Sequence, residues 1–238
     1  MRLPGTLAAL DEFLAGDVSE IEVLLVDDGS DDATPEIMAA WCSDRPFARF
    51  LVLPHAGKAH AVKTGVMAAS QNRVLFMDAD LAVPLEDAPI LIDELDRGAD
   101  VAVGSREARG ADRRGESPMR RLRGRAFNLL VQSLVVKGIS DTQCGFKAFT
   151  KNAARQIFSR TLLHATPNSG LKGPSVTAFD VEVLFLASYL GLQVVEVPVH
   201  WTHVPESKVR ALSDPLRMTA DVLKIRFNAM TGKYSASE

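Results

Sequence analysis

The alternation of strand-forming and helix-forming segments is the feature that most constrains this fold. Short apolar runs suited to buried strands alternate with segments of helical periodicity from residue 22 to residue 201. Such alternation predicts an α/β fold, a mostly parallel sheet with helices on both faces. Ligands of such sheets bind at the carboxyl ends of the strands, which is where we look for a site.

The boundaries of the predicted elements follow from local signals. Thr34 and Pro35, for example, combine a capping hydroxyl with a proline at the first helical position. The predicted strands are residues 22–26, 49–53, 73–77, 100–104 and 193–201. The predicted helices are residues 7–14, 34–42, 58–69, 85–97, 120–137, 149–160, 178–190 and 214–230. Residues 104–118 and 161–177 are predicted to be loops.

Composition and charge narrow the classes of function. The net charge of −3 over 238 residues argues against a general nucleic-acid binder. Cys42 and Cys144 lie far apart and match neither a disulfide framework nor a zinc site, which favours a reducing, cytoplasmic protein. The apolar stretch 126–139 is too short and too polar to cross a bilayer. We expect one domain over residues 1–230 and a tail over residues 231–238.

Two predicted strands end in acidic residues at the same expected edge of the sheet. Asp27 and Asp28 follow one strand in VLLVDDGS, and Asp78 and Asp80 follow another in VLFMDADL. Residues i and i+2 of an extended segment point the same way, so Asp78 and Asp80 could face one Mg²⁺ or Mn²⁺. Asp27 and Asp28 could accept hydrogen bonds from a base or a ribose. The alternative is that these two acids only cap a turn.

Several cationic side chains are candidate ligands for phosphate. Gly57 and Lys58 lie at a predicted helix start, which favours anions, and Lys58 and Lys63 could contact a diphosphate. Eight arginines fall between residues 106 and 125, and guanidinium groups bind phosphate through paired hydrogen bonds. Lys208 and Arg210 in ESKVR are further candidates for a phosphate. A solvated surface role is the alternative for each of these residues.

Two further patterns leave alternatives open. His200 and His203 flank Trp201 at a predicted strand end, and ordinary histidines are favoured there over a metal pair. The last predicted helix carries an apolar stripe with basic residues around it, which is consistent with core packing or with contact in the plane of a membrane. The stripe residues are Met218, Val222, Ile225 and Met230.

Taken together, the motifs resemble the family 2 inverting glycosyltransferases, especially the polyprenyl-phosphate and dolichyl-phosphate sugar synthases of the dolichyl-phosphate β-glucosyltransferase branch. The segments occur in the family order, and they are VDDGSDDAT, GKAHAVKTG, FMDADLAVP, VAVGSR, DTQCGFKAF, AFDVEVLFLA, VEVPVHW and SKVRALSDPLRM. The resemblance implies a GT-A fold. It assigns a nucleotide-sugar half to about residues 1–104 and an acceptor half to residues 105–230.

The resemblance also implies a role for individual residues. Asp27 and Asp28 are expected to contact the uracil and ribose, and Lys58 is expected near the nucleotide. Asp78 and Asp80 match the motif that holds the diphosphate through Mg²⁺ or Mn²⁺. The acceptor side is expected to include Arg106, Arg120 or Arg121, Gln143 and Lys147. The resemblance fixes no general base, since a lipid phosphate is already ionised, and Asp141 is the acid to test in that role.

The implied reaction is metal-dependent and inverting. A hexose, with glucose favoured, passes from a UDP-sugar to a polyprenyl or dolichyl phosphate and gives a β-linked product. The implied partners are these two substrates and a membrane surface, with the protein peripheral at the inner, cytoplasmic face. A homo-oligomer is possible, and no nucleic acid is expected.

The sequence departs from the family pattern at two places and leaves two alternative functions open. A first strand resembling VVIPAYNEE is not found before residue 3, and Ala82 stands where some relatives carry a glutamine metal ligand. One alternative is a module that binds nucleotide sugar without turnover. The other is a haloacid-dehalogenase-type phosphohydrolase with Asp78 as nucleophile, which Ala82 disfavours because that motif expects Thr or Val there.

Overall fold

The computed structural model describes residues 3–16, 20–163, 177–204 and 213–235, and within these ranges it has eight helices and eight strands. The helices are α1 (Leu3–Phe13), α2 (Thr34–Ser43), α3 (Lys58–Ala68), α4 (Ala88–Asp96), α5 (Pro118–Leu134), α6 (Lys151–Arg160), α7 (Phe179–Tyr189) and α8 (Ser213–Met230). The strands are β1 (Val23–Asp27), β2 (Ala48–Val52), β3 (Arg73–Met77), β4 (Val101–Ser105), β5 (Asp112–Arg114), β6 (Phe146–Thr150), β7 (Val194–Pro198) and β8 (His200–Thr202). A 3-10 turn, Leu85–Asp87, precedes α4.

The largest sheet has four strands in the order β3-β6-β4-β7. Strands β4 and β7 are parallel, whereas β6 runs antiparallel to both of its neighbours. The inner position of β6 explains its burial, since Phe146, Lys147, Ala148 and Phe149 are all at most 1% exposed. The strand ends at Thr150, whose hydroxyl accepts a hydrogen bond from the Ala153 N–H and caps α6.

The structure corrects three sequence-based boundaries. Strand β6 was not predicted, and the helix predicted for residues 149–160 begins at Lys151 instead. The predicted loop 104–118 contains β5, which pairs in parallel with β8. The single strand predicted for residues 193–201 is divided into β7 and β8, which belong to different sheets.

Strands β1 and β2 form a separate parallel pair. Among the described residues, β1 pairs only with β2, and β3 pairs only with β6, so each has one edge without a strand partner. Helix α3 packs against both β1 and β3. Helix α1 packs on α2, and its Thr6 hydroxyl donates a hydrogen bond to the Ala79 carbonyl beyond β3. Two helices therefore join the small sheet to the large one.

Helix α7 runs through the main core and is buried from Phe179 to Ala187. Its Glu182 carboxylate accepts hydrogen bonds from the Leu162 and Leu163 N–H groups and from the Tyr234 hydroxyl. Tyr234, which lies in the segment predicted as a tail, is 1% exposed and packs in this core. One buried carboxylate thus holds the end of α6 and the segment after α8 against α7.

Candidate functional site

A cavity of about 1140 Å³ lies beyond the end of β3 and extends to α5 and α8. It brings together six of the twelve side chains that the sequence indicates for a site. The polar residues lining it include Lys58, Asp78, Asp80, Arg106, Asp141, Gln143 and Asp180. Its far side is formed by residues of α5 and by Met218 and Thr219 of α8.

The acidic segment after β3 has a constrained backbone. Leu81 directly follows the two acids. Among the described residues other than glycine, it is the one with a positive φ angle, which is 52°. The left-handed conformation costs a residue with a Cβ roughly 1–2 kcal/mol, so the surrounding contacts must hold it there. The Asp80 carboxylate contributes by accepting the Ala82 N–H at 3.1 Å.

Gly145 provides the space that the Asp78 carboxylate occupies. A Cβ placed on Gly145 would lie 2.7 Å from the Asp78 Cγ and closer still to one carboxylate oxygen. No larger residue fits at position 145 unless Asp78 moves. Gly145, which immediately precedes β6, therefore leaves the space in which the first carboxylate of the Asp-x-Asp motif lies.

Lys58 lies against these carboxylates from the start of α3. Its Nζ is 2.6 Å from Asp78 Oδ1. Burial disfavours the charged ammonium, but the carboxylates of Asp180, Asp78 and Asp80 outweigh burial and raise the pKa of Lys58. The lysine therefore remains a cation beside the acidic segment.

A buried ion pair lies behind Lys58. The Lys147 side chain is fully buried, and its Nζ contacts Asp180 Oδ1 at 2.5 Å and donates to the Cys144 carbonyl. Asp180 thus lies between two lysines, one from β6 and one from α3. The structure places Lys147 beside the site with its ammonium engaged by Asp180, so its predicted contact with a substrate stays a prediction.

Arg106 and Asp141 form a two-point ion pair at the end of β4. The Arg106 Nε and Nη2 atoms donate to the two Asp141 oxygens at 2.6 and 2.8 Å, and the Arg106 N–H donates as well. Burial opposes ionisation of Asp141, but the guanidinium outweighs it and keeps the pKa of the carboxyl below its usual range. The pair carries its charges at neutral pH, and both Asp141 oxygens are engaged.

Asp27 and Asp28 lie at the end of β1, outside the lining of this cavity. Asp27 accepts hydrogen bonds from the Gly29 and Ser30 N–H groups. Asp28 accepts from the Ala56 and Gly57 N–H groups, and so anchors the turn that starts α3. Each acid has a structural role that matches the turn-capping alternative, and their predicted contacts with a base and ribose stay predictions.

Glu107 organises the arginine-rich segment. Its carboxylate pairs with Arg113, Arg121 and Arg125. Burial raises the pKa of Glu107, but the arginines, Arg125 foremost, outweigh burial and lower it. Arg121 does not line the cavity, whereas Glu107, Arg113 and Arg125 do. The Arg120 side chain and Lys208 lie outside the part of the chain that the structure describes.

Gln143 offers an unused donor. Its Nε2 is buried and makes no hydrogen bond to the protein, although the residue lines the cavity. A buried amide without a partner is costly, so this atom is suited to donate to a ligand oxygen.

The donor set of the acidic segment fits a hard divalent cation. Asp78 and Asp80 provide carboxylate oxygens, which Mg²⁺ and Mn²⁺ prefer. The Lys58 ammonium, which pairs with Asp78, would compete with a cation for that carboxylate. Within the described ranges, no cluster of three His, Cys, Asp or Glu side chains could hold a metal. Phosphate oxygens and water would have to complete the shell, as Mg²⁺ commonly requires.

Two residues of the site, Asp180 and Glu107, were not singled out by the sequence analysis, and Gly145 was indicated only as part of the segment DTQCGFKAF. A signal existed for Asp180, because an acid within the apolar helix AFDVEVLFLA must have a buried partner. No sequence signal indicates that Gly145 faces Asp78, because their contact joins distant parts of the chain.

No helix in the described part of the chain is both long enough and apolar enough to cross a membrane.

Comparison with known proteins places this arrangement in a family. Residues 2–158 match the family Glycosyl transferase family 2. Dolichyl-phosphate beta-glucosyltransferases of Dictyostelium discoideum and Homo sapiens are each 34% identical to the chain, over 89% and 90% of its length. The chain spans 64% and 65% of those two relatives, and 73% of the 34% identical enzyme of Drosophila melanogaster.

Solved structures agree on the fold. A glucosyl-3-phosphoglycerate synthase from Mycobacterium tuberculosis, in complex with Mn²⁺, UDP and glucosyl-3-phosphoglycerate, superposes with a TM-score of 0.62 at 18% identity, covering 100% of this chain and 76% of that one. Mannosyl-3-phosphoglycerate synthase from Rubrobacter xylanophilus gives 0.56 at 14% identity, with 100% and 72% covered. The chain has a GT-A fold, as the sequence predicted.

Proposed function

Since this chain belongs to glycosyl transferase family 2, we propose that it transfers a hexose, with glucose favoured, from a UDP-sugar to a polyprenyl or dolichyl phosphate. The transfer is metal-dependent and inverting, and it takes place at the cytoplasmic face of a membrane. The observation that carries the proposal is one cavity whose lining includes Asp78, Asp80 and Lys58 together with Arg106 and residues of α5 and α8.

The acidic end suits the sugar diphosphate. Asp78 and Asp80 would hold Mg²⁺ or Mn²⁺, which would act as a Lewis acid and stabilise negative charge on the departing diphosphate. Lys58, kept charged by three carboxylates, is placed to pair with a phosphate oxygen. Asp28 fixes the turn that begins α3 and thereby orients Lys58.

The other end suits an acceptor phosphate. Arg106 is held in place by Asp141, and the Gln143 amide is free to donate to an oxygen. A phosphate oxygen of the lipid would attack the anomeric carbon while the bond from that carbon to the UDP oxygen breaks. Attack from the face opposite UDP converts an α-linked donor into a β-linked product. The phosphate is already ionised, so Asp141 serves by positioning Arg106.

Release of UDP in the presence of UDP-glucose, Mg²⁺ and a polyprenyl phosphate tests the proposal. Asp80→Asn is expected to lower kcat/KM at least about 100-fold, because a lost metal contact removes charge stabilisation of the leaving group. Asp93→Asn, an exposed acid on α4, is the matched control and should leave turnover unchanged.

Other outcomes would redirect the assignment. Full turnover by Asp80→Asn would contradict the metal role of the acidic segment. Binding of UDP-glucose without UDP release would support the nucleotide-sugar-binding module instead. Replacing the donor by other UDP-hexoses and by GDP-mannose determines the sugar and the nucleotide.

A further inference from the structure

The outer face of α8 is apolar and exposed. Leu216, Leu223, Phe227 and Met230 are 75%, 54%, 59% and 74% exposed. Their spacing of seven, four and three residues places them on one stripe of the helix. The opposite side carries Val222 and Ile225, which are fully buried in the core. The helix therefore has two apolar faces, and core packing accounts for only one of them.

Basic residues border this stripe on both sides. At 100° per residue, Arg226 lies on one side of it, and Arg217 and Lys224 lie on the other. All three are exposed. An exposed apolar stripe bordered by Lys and Arg is the pattern of helices that lie in a membrane interface.

Helix α5 repeats the pattern and packs against α8. Its exposed apolar residues include Leu122 and Leu129, at 61% and 68%. It carries four arginines and no acidic residue, and the described side chains Arg123 and Arg125 are exposed. Two neighbouring helices thus present the same combination of apolar and basic side chains.

The cavity reaches both helices. Its lining includes Leu129 and Leu130 of α5 and Met218 and Thr219 of α8. A lipid chain that leaves the cavity between these helices would continue directly over their exposed apolar residues. The exposed face is therefore continuous with the acceptor end of the proposed site.

We propose that α5 and α8 form a docking face for an anionic phospholipid bilayer, made of Leu122, Leu129, Leu216, Leu223, Phe227 and Met230 with their basic neighbours. The inference rests on the proposed lipid acceptor, but binding to the bilayer itself does not require turnover. A second copy of the chain fits the face poorly, because pairing it with itself would bring arginines against arginines. Anionic head groups complement these charges.

Cosedimentation with vesicles that contain no acceptor tests the face. The unaltered chain should bind vesicles of phosphatidylcholine with 30% phosphatidylserine and bind pure phosphatidylcholine far more weakly. L223E/F227E is expected to lower the partition coefficient at least about tenfold, because each apolar side chain contributes burial energy in the interface. Ile90→Glu, an exposed aliphatic residue on α4, is the matched control and should bind normally.

A charge-reversal variant tests the electrostatic contribution to vesicle binding. K224E/R226E should weaken binding to the anionic vesicles by roughly one to two orders of magnitude, since each basic residue near such a surface contributes about fivefold. Added salt should weaken binding of the unaltered chain, because it screens these charges. Circular dichroism and thermal unfolding of each variant show whether its fold is retained.

Three results would overturn the docking face. They are equal binding to charged and neutral vesicles, normal binding by folded L223E/F227E, and a dimer in solution that this variant abolishes. UDP release with a short, water-soluble prenyl phosphate separates this inference from the proposed function. L223E/F227E should retain that activity while losing activity on a long-chain acceptor in vesicles, whereas failure of the proposed function would abolish both activities in the unaltered chain.

Discussion

The position of the Asp78 carboxylate depends on Gly145, which has no side chain. Gly145→Ala would place a Cβ against the Asp78 carboxylate and force it to rotate away from Lys58. We expect Mn²⁺ affinity, measured by electron paramagnetic resonance, to fall about 10–100-fold, which is typical for loss of a residue that supports a metal ligand.

Gly5→Ala is the matched control for that change. A Cβ at Gly5 meets nothing within 4 Å, and alanine favours the helix in which it lies. Its Mn²⁺ affinity should be unchanged. Normal Mn²⁺ affinity in Gly145→Ala would show that Asp78 can move without leaving the metal site.

The buried pair of Lys147 and Asp180 should be costly to break from one side. Lys147→Met leaves the Asp180 carboxylate buried without its partner, so we expect the free energy of unfolding to fall by about 3–5 kcal/mol. Adding Asp180→Asn should recover part of that loss, because the unpaired charge is removed. Urea unfolding of the two single variants and the double variant measures the coupling, and additive losses would contradict it.

At the residue scale, the sequence indicated which side chains line the cavity better than it indicated their contacts. Asp78, Asp80, Lys58 and Arg106 were identified because each residue type at a strand end or helix start has a recognisable use. Gly145 was recognised as part of a motif only. Its contact with Asp78 depends on how β3 and β6 pair, and local sequence carries no information about that pairing.

At the element scale, β6 is a strand that the local sequence pattern does not predict. The segment FKAFT continues into α6 without a turn residue, since Thr150 both ends the strand and caps the helix. Lys147 interrupts the apolar run, and its burial becomes possible only through Asp180 of α7. One of the two inner strands of the main sheet was therefore missed, although β3 and β4 were predicted to within one residue.

The cap of α6 gives a prediction for this junction. Thr150→Ala removes the hydroxyl that accepts the Ala153 N–H, and we expect a loss of about 1 kcal/mol in the free energy of unfolding. Thr150→Ser keeps the hydroxyl and should retain most of the stability. Equal losses in the two variants, measured by urea unfolding, would assign the effect to the lost methyl group in the sheet rather than to the cap.

At the scale of the whole molecule, the site is assembled from segments far apart in sequence. Lys58 comes from the helix that joins the two sheets, Asp78 and Asp80 come from the end of β3, and Asp180 comes from the core helix. The family motifs indicated that these segments contribute to one site. The rule that ligands bind at the carboxyl ends of the strands indicated the position of that site. The joining of the small sheet to the large one through α1 and α3 could not be predicted, because it depends on side-chain packing between helices.

Low pH should lower the free energy of unfolding by breaking the ion pair of Arg106 and Asp141. This pair joins the end of β4 to the loop before β6. The pair connects further to β7, because Glu196 accepts the Ser140 and Asp141 N–H groups. The pKa of Asp141 is held below its unfolded value of about 3.9. Its stabilising contribution is therefore fully present above that value and is lost as the pH falls through the folded pKa.

Asp141→Asn removes the titrating group and should cost about 3 kcal/mol at pH 7, because it leaves the Arg106 guanidinium buried without its counter-charge. The difference in free energy of unfolding between the unaltered chain and this variant should shrink as the pH falls below about 4. Urea unfolding at a series of pH values from 7 downward measures it, with Asp93→Asn expected to track the unaltered chain throughout. A difference that stays constant across the series would mean that Asp141 does not carry its charge in the folded protein.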